Sequence, residues 1–327
     1  MKNPRQRLKA LLALALLPCA IAASAADFPI PGKPIRIIVG FPAGGGTDIQ
    51  ARQLGLQMQT TLGVPVVIEN KPGAGTMLAG MEVAKAAPDG HTLLYTPSST
   101  MAQLPHTLAA VKYDVFKDFT PVSLGALGPL VLVAHKSVPG NNVRELVAYA
   151  KAHPGKLNYV SQGVGTSAHV YGEIFAKQSG IDIVHLPYKG ANDVARDFIA
   201  GRVQLQFASS SAAVALTKSG EIRMLGVVAP KRSTLFPDLP TMAEQGVSNM
   251  DIDSWVGFFG PAGMTPQAVA RLNDAIGQAV KLPKVREDFR AGGAEAQGST
   301  PEQFGAIVRD SYNQWGRVLA QIGFTKQ

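Results

Sequence analysis

The chain has 327 residues, 46% of them hydrophobic and 17% charged, with 31 Lys and Arg against 23 Asp and Glu. That length exceeds one compact core and predicts two domains. The basic residues are scattered, with no Lys/Arg block and no interleaved aromatics, which argues against a nucleic-acid partner.

The N-terminus reads as a secretory signal over residues 1–26. Lys2, Arg5, Arg7 and Lys9 form a basic start, residues 11–21 an apolar run, and residues 22–26 a small-residue cleavage site. The run falls short of the roughly 20 residues a membrane span needs. Cleavage predicts a periplasmic chain starting at Asp27, with 27 bases against 23 acids once the four leader bases are gone. Cys19 is the only cysteine and allows a lipidated N-terminus, against which Pro18 stands. Cleavage after it excludes disulfides, thiol catalysis and cysteine–zinc sites.

Beyond the leader, short apolar runs alternate with amphipathic stretches. Strands are predicted over 35–39, 66–69, 92–95, 130–134, 158–161, 183–186, 204–207 and 224–228. Helices are predicted to begin near residues 48, 76, 143, 167, 193, 212, 266 and 301. In the first helix Ala51, Leu54, Met58 and Leu62 mark one buried face. Such alternation predicts an α/β fold with a mainly parallel sheet in each of two domains. The pattern of strand, glycine loop, helix and strand starts twice, near residues 34 and 157. Two lobes joined by two crossovers follow, with domain 1 over 27–127 plus 252–327 and domain 2 over 128–251. The stretch from about residue 261 is expected to be helical and to pack back on the first lobe.

Two loops carry the chemistry. The first holds Phe41, Ala43, Gly44, Gly45, Gly46, Thr47 and Asp48. Its glycines permit close backbone approach, and Thr47 or Asp48 is the expected N-cap. It lacks the Gly-Lys-Ser/Thr ending of a nucleotide triphosphate loop and the spacing of a dinucleotide site. The second holds Ser161, Gly163, Gly165, Thr166, Ser167 and His169. A helix N-terminus presents free N–H groups and a positive dipole end, so each loop suits an anion; an ordinary strand-to-helix turn is the alternative. Ser98 and Ser99 end the third strand, where open α/β sheets bind ligands, and Ser209, Ser210 and Ser211 stand similarly; both groups also read as helix caps. Lys189 at a strand end is a further anion attractor or a solvated surface group. The segment 70–75 and the Pro88-Asp89-Gly90 turn read as structural. A serine hydrolase using Ser161 with His169 is the catalytic alternative, but Tyr159 stands where a nucleophile elbow needs glycine. The six histidines show no metal-binding spacing, and no metal or cofactor is expected.

Several segments in order resemble one family: KPIRIIVGFPAGGGTDIQAR, VVIENKPGAGTMLAGMEVAKAAPDGHTLL, LNYVSQGVGTSAHVYGEIF, HLPYKGANDVARDFIAGRV and SWVGFFGPAGMTPQAV. The chain resembles the periplasmic substrate-binding proteins of tripartite tricarboxylate transporters, the Bug family, over essentially its whole length after the leader. The resemblance implies a two-lobed Venus-flytrap fold that binds a carboxylated small molecule between its lobes without catalysis, as a monomer serving membrane permease subunits. It implies ligand contacts from residues 41–48, 98–100 and 161–169, with Phe41 packing on the ligand body. His91, Thr76-Met77-Leu78 and Ala191-Asn192-Asp193 depart from the commonest family pattern. A sensing module for a membrane kinase uses the same fold and is the second alternative.

Overall fold

The computed structural model describes residues 28–188, 191–252 and 254–327. The leader, Cys19 and Lys189 lie outside these residues. Two mixed sheets form two α/β lobes. The first sheet has the order β11-β4-β10-β3-β1-β2, with β1 (Ile35–Val39), β2 (Val66–Asn70), β3 (Thr92–Pro97), β4 (Phe119–Leu127), β10 (Trp255–Pro261) and β11 (Glu295–Ala296). The second has the order β7-β6-β8-β5-β9, with β5 (Leu130–His135), β6 (Leu157–Ser161), β7 (Ile183–Pro187), β8 (Leu205–Ser209) and β9 (Ile222–Val228).

All eight expected strands form, but parallel pairing is confined to part of each sheet. β2, β1 and β3 are parallel in the first, and β7, β6 and β8 in the second. The remaining pairs are antiparallel, which corrects the expectation of mainly parallel sheets. The cause lies in the crossovers. β4 leaves the first lobe and continues through Gly128 and Pro129 into β5, and β10 re-enters between β4 and β3.

The helices are α1 (Gly46–Leu62), α2 (Met77–Val83), α3 (Leu104–Thr107), α4 (Val143–Ala152), α5 (Ser167–Ser179), α6 (Ala191–Ile199), α7 (Ser210–Thr217), α8 (Pro266–Ala279), α9 (Pro283–Ala291) and α10 (Pro301–Gln321). A π-helical turn, Ser99–Gln103, precedes α3. Among the described residues no helix is long and apolar enough to cross a membrane.

Strand alternation places the cores. Ile35, Ile37 and Val39 of β1 face a cluster with Leu54 of α1 and Leu272 of α8, whereas Ile38 faces one with Leu104, Phe304 and Val308. The C-terminal helix then departs from expectation. α10 starts in the first lobe through Phe304 and Val308, capped by Thr300 and Gln303. Its second half enters the core of the second lobe, where Trp315, Val318, Leu319 and Ile322 join Tyr159, Tyr171 and Phe175. Ala102 of the π-helical turn enters that core too. Apolar packing therefore runs unbroken between the lobes on this side.

Candidate functional site

The first loop is built around one buried carboxylate. Asp48 is 1% exposed. Its Oδ2 accepts the Gly44 N–H at 2.8 Å, and its Oδ1 accepts Asn70 Nδ2 at 2.9 Å. Arg52 reaches the same carboxylate at 2.9 and 3.0 Å. Burial opposes the charge, but Arg52, the Gly44 amide and Asn70 together outweigh it and hold the carboxyl below its ordinary value. Asp48 is therefore spent on the protein itself. It is not the N-cap: α1 starts two residues earlier, with Gly45 as N-cap and Asp48 third in the helix. The amides of Gly46, Thr47 and Asp48 are left without a partner among the described residues, as the first turn of a helix requires. Phe41 packs half-buried against the first-lobe core, and its carbonyl accepts Asn70 Nδ2 at 2.9 Å. Residues 42–45 are exposed.

The second loop repeats this construction. Its N-cap is Thr166, with φ −73° and ψ 162°, the values of Gly45. Gly44 (φ 83°) and Gly165 (φ 79°) precede the two caps, each in the left-handed region that glycine enters without strain. His169, third in α5, accepts the Gly165 N–H on Nδ1 at 3.1 Å, as Asp48 accepts that of Gly44. Thr166 Oγ1 donates to the Gly163 carbonyl at 2.7 Å, so it braces the loop.

Five contacts join the lobes around these loops. A Cβ placed on Gly46 would lie 2.9 Å from Ser211 Cβ at the start of α7, and Ser209 caps that helix through Ala212 N–H at 3.3 Å. Gly75 approaches Thr166 Cγ2 to 3.3 Å in the same construction. Gln103, fully buried, donates from Nε2 to the Gly165 carbonyl at 2.8 Å and accepts Ser167 Oγ at 2.6 Å. Thr107 Oγ1 donates to the same carbonyl at 3.0 Å.

The segment 70–75 reads as structural in the sequence, yet its end and the following Thr76 stand between the loops in a strained form. Ala74 (φ 45°) and Thr76 (φ 85°) both carry positive φ, which costs on the order of 1–3 kcal/mol each. Thr76 Oγ1 bonds Thr100 Oγ1, which also meets Thr96 Oγ1 at 2.6 Å. Ser98 is buried beside this chain and Ser99 is half-buried. Sequence reasoning passed over Gln103, Thr107 and residues 74–76. Only strain-tolerant glycines flanking Ala74 hinted at them.

The proposed Ser161–His169 pair does not form. Ser161 Oγ lies 2.7 Å from His185 Nε2 and also bonds the Gly163 carbonyl and amide at 2.9 and 3.1 Å. His169 instead stacks on His185, with ring centroids 4.1 Å apart. Ser161 is fully buried, and among the described residues no carboxylate orients His185 from its other nitrogen. Burial, with His169 adding to it, pushes His185 down to about 4. A buried serine committed to its own loop is no accessible nucleophile.

The Gly46–Ser211 contact gives a direct test of whether the two lobes meet here. Cysteines at both positions will form a disulfide under mild oxidation after a shift of under 1 Å, since bridged Cβ atoms prefer about 3.8 Å. Free thiols after oxidation would show that the two lobes do not meet here in solution.

The model of the tripartite tricarboxylate transporter family receptor matches residues 50–324. The periplasmic binding protein BugD superposes with a TM-score of 0.83 at 31% identity, covering 91% of this chain and all of BugD. A Rhodopseudomonas palustris protein solved with adipate gives 0.85 at 31% identity over 92% of this chain and 100% of its own. MatC from Rhodopseudomonas palustris with bound malate gives 0.80 at 31% over 88% and 99%. With the two lobes, the paired glycine loops and these likenesses in one molecule, the chain belongs to the tripartite tricarboxylate transporter receptor family of solute-binding proteins.

Proposed function

We propose that this solute-binding protein captures a carboxylate-bearing small molecule between its lobes, for uptake through membrane permease subunits of a tripartite tricarboxylate-type transporter. The observation that carries this reading is the pair of loops of like backbone geometry, one on each lobe, each ending in the unpartnered amides of a helix start. Gly46, Thr47 and Asp48 N–H on one side and Ser167 and Ala168 N–H on the other are suited to carboxylate oxygens. Among the described residues, the lone cation at either loop, Arg52, is committed to Asp48. Charge is therefore met by dipoles and hydrogen bonds. The adipate and malate held by two related proteins support this class of ligand. The residues proposed to face the ligand are Phe41, those of 43–48, Ser98, Ser99 and 163–168, and with them Ser211 and 74–76, which lie against these loops; Ser161 and His169 are proposed to brace the second loop from within.

Binding and closure are linked, because ligand contacts from both lobes exist together only when the lobes meet. A melting-temperature screen of residues 27–327 against adipate, malate and other organic acids tests the proposal. An acid present at about 100 times its Kd will stabilise the fold by roughly 2.7 kcal/mol and be recovered chemically unchanged. A panel of acids that leaves the melt untouched would count against a carboxylate ligand.

A further inference from the structure

The two loop clasps share geometry but not chemistry. In the first lobe the acceptor is the Asp48 carboxylate, which stays charged through the neutral and mildly acidic range. In the second it is the lone pair on His169 Nδ1, which takes the Gly165 N–H at 3.1 Å. An imidazole accepts on that nitrogen only while it is neutral. A proton there turns the acceptor into a donor aimed at another donor. We propose that His169 is the positioning residue of the second-lobe ligand loop, and that its protonation unclasps Gly165 and loosens the grip on the ligand. The proposal rests on reading that loop as a ligand contact.

The surroundings of the ring decide when this happens. His185 from β7 stacks on one face, and Phe324 from the C-terminal segment meets the ring edge-on at 5.8 Å. Glu173, one turn along α5, approaches His169 Nε2 to 3.8 Å. Tyr159 from β6 donates its hydroxyl to Glu173 at 2.6 Å and lies 3.4 Å from the His169 carbonyl oxygen. Lys177, further along α5, is held by the Ile322 carbonyl at 2.7 Å. His169 lines a surface cavity of about 310 Å³ shared with Glu173, Lys177 and Phe324, so water reaches its neighbourhood. Burial lowers the His169 pKa below its ordinary value, and Glu173 opposes that. The first proton goes to His169, because Glu173 faces its Nε2, whereas His185 stacks on Tyr159 and His169 and has Ser161 as its hydrogen-bond partner, with no carboxylate beside it among the described residues.

The sign follows from linkage. In the unfolded chain both rings bind protons at their ordinary pKa of about 6.5. In the folded chain both bind later. The stability they confer is complete above about pH 6.5 and declines as pH falls toward the lower folded values. The clasp opens within that same window.

Hydrogen exchange at Gly165 reads the clasp without any ligand, and Gly44 serves as the internal reference. Both amides are followed in the full protein between pH 7.5 and 4.5, corrected for intrinsic exchange, with the His169 ring proton followed by NMR. As the ring titrates, Gly165 will lose at least tenfold more protection than Gly44. His169→Asn places an amide oxygen near the Nδ1 position, so Gly165 will stay protected across the range. Equal behaviour of the two amides while the His169 ring titrates would overturn the proposal, and so would full Gly165 protection in His169→Ala. Adipate affinity is measured over the same range. It will fall more steeply with acid in the parent than in His169→Asn, a comparison that cancels the titration of adipate itself. Equal slopes would detach the clasp from ligand retention. Adipate that binds at no pH would weigh on the carboxylate reading, while the exchange result still decides the clasp.

Discussion

A Gly45→Asp protein will fold as stably as its parent and lose at least a hundredfold in ligand affinity. Gly45 has φ −73° and ψ 162°, backbone that any L-residue adopts. A Cβ there meets nothing closer than the Pro42 carbonyl oxygen at 3.4 Å. Aspartate is moreover a favoured N-cap, and its carboxylate will accept the Thr47 or Asp48 amide that the parent leaves free. Because glycine is itself a tolerated N-cap, the helix gains only about a few tenths of a kcal/mol from that cap. The same carboxylate fills the anion position and repels an incoming one. Losing charge-assisted hydrogen bonds worth about 1.5–3 kcal/mol each accounts for the affinity change. Calorimetric titration of the best acid, paired with a melting curve, separates the two effects. Unchanged affinity would remove the first loop from the site.

Trp315→Ala will cost about 3–5 kcal/mol, the range for deleting a buried tryptophan. Trp315 is 2% exposed and packs on Tyr171 with centroids 5.1 Å apart. It sits where α10 passes from the first lobe into the second-lobe core. A drop in melting temperature on the order of 10 °C is expected at this chain length. A shift of less than 2 °C would mean that the second half of α10 contributes little to that core.

The parallel strands and both glycine loops are legible in the sequence, because each is signalled by neighbouring residues. β4 and β10 are not, and the reason is specific. Gly125 interrupts β4 and Gly257 interrupts β10, and glycine weakens a strand signal. Each is there for a distant ring: a Cβ on Gly125 would lie 2.7 Å from Tyr95, and one on Gly257 would lie 2.1 Å from Phe304. The helix α9 escapes for a different reason. Only Val285 and Phe289 of its nine residues are buried, so its apolar stripe is a single pair. At the site, composition points to the loops but not to their bracing. Asp48 and His169 each reach back four residues to an amide, a bond that looks like an ordinary capping signal until both partners are seen. Gln103 and Ser211 reach the site only through contacts between the lobes.

The path of α10 also constrains how the chain can assemble. The first sheet awaits β10 and β11, and the core of the second lobe awaits residues 315–322, more than 60 positions beyond its last strand, β9. Neither half can complete its interior from the segment that precedes the other. Such distant pairing slows folding, since long loops must close before their contacts contribute. The same helix that binds the halves together is thus the last piece both interiors wait for, so a chain cut short of Phe304 would leave the two lobes incomplete together.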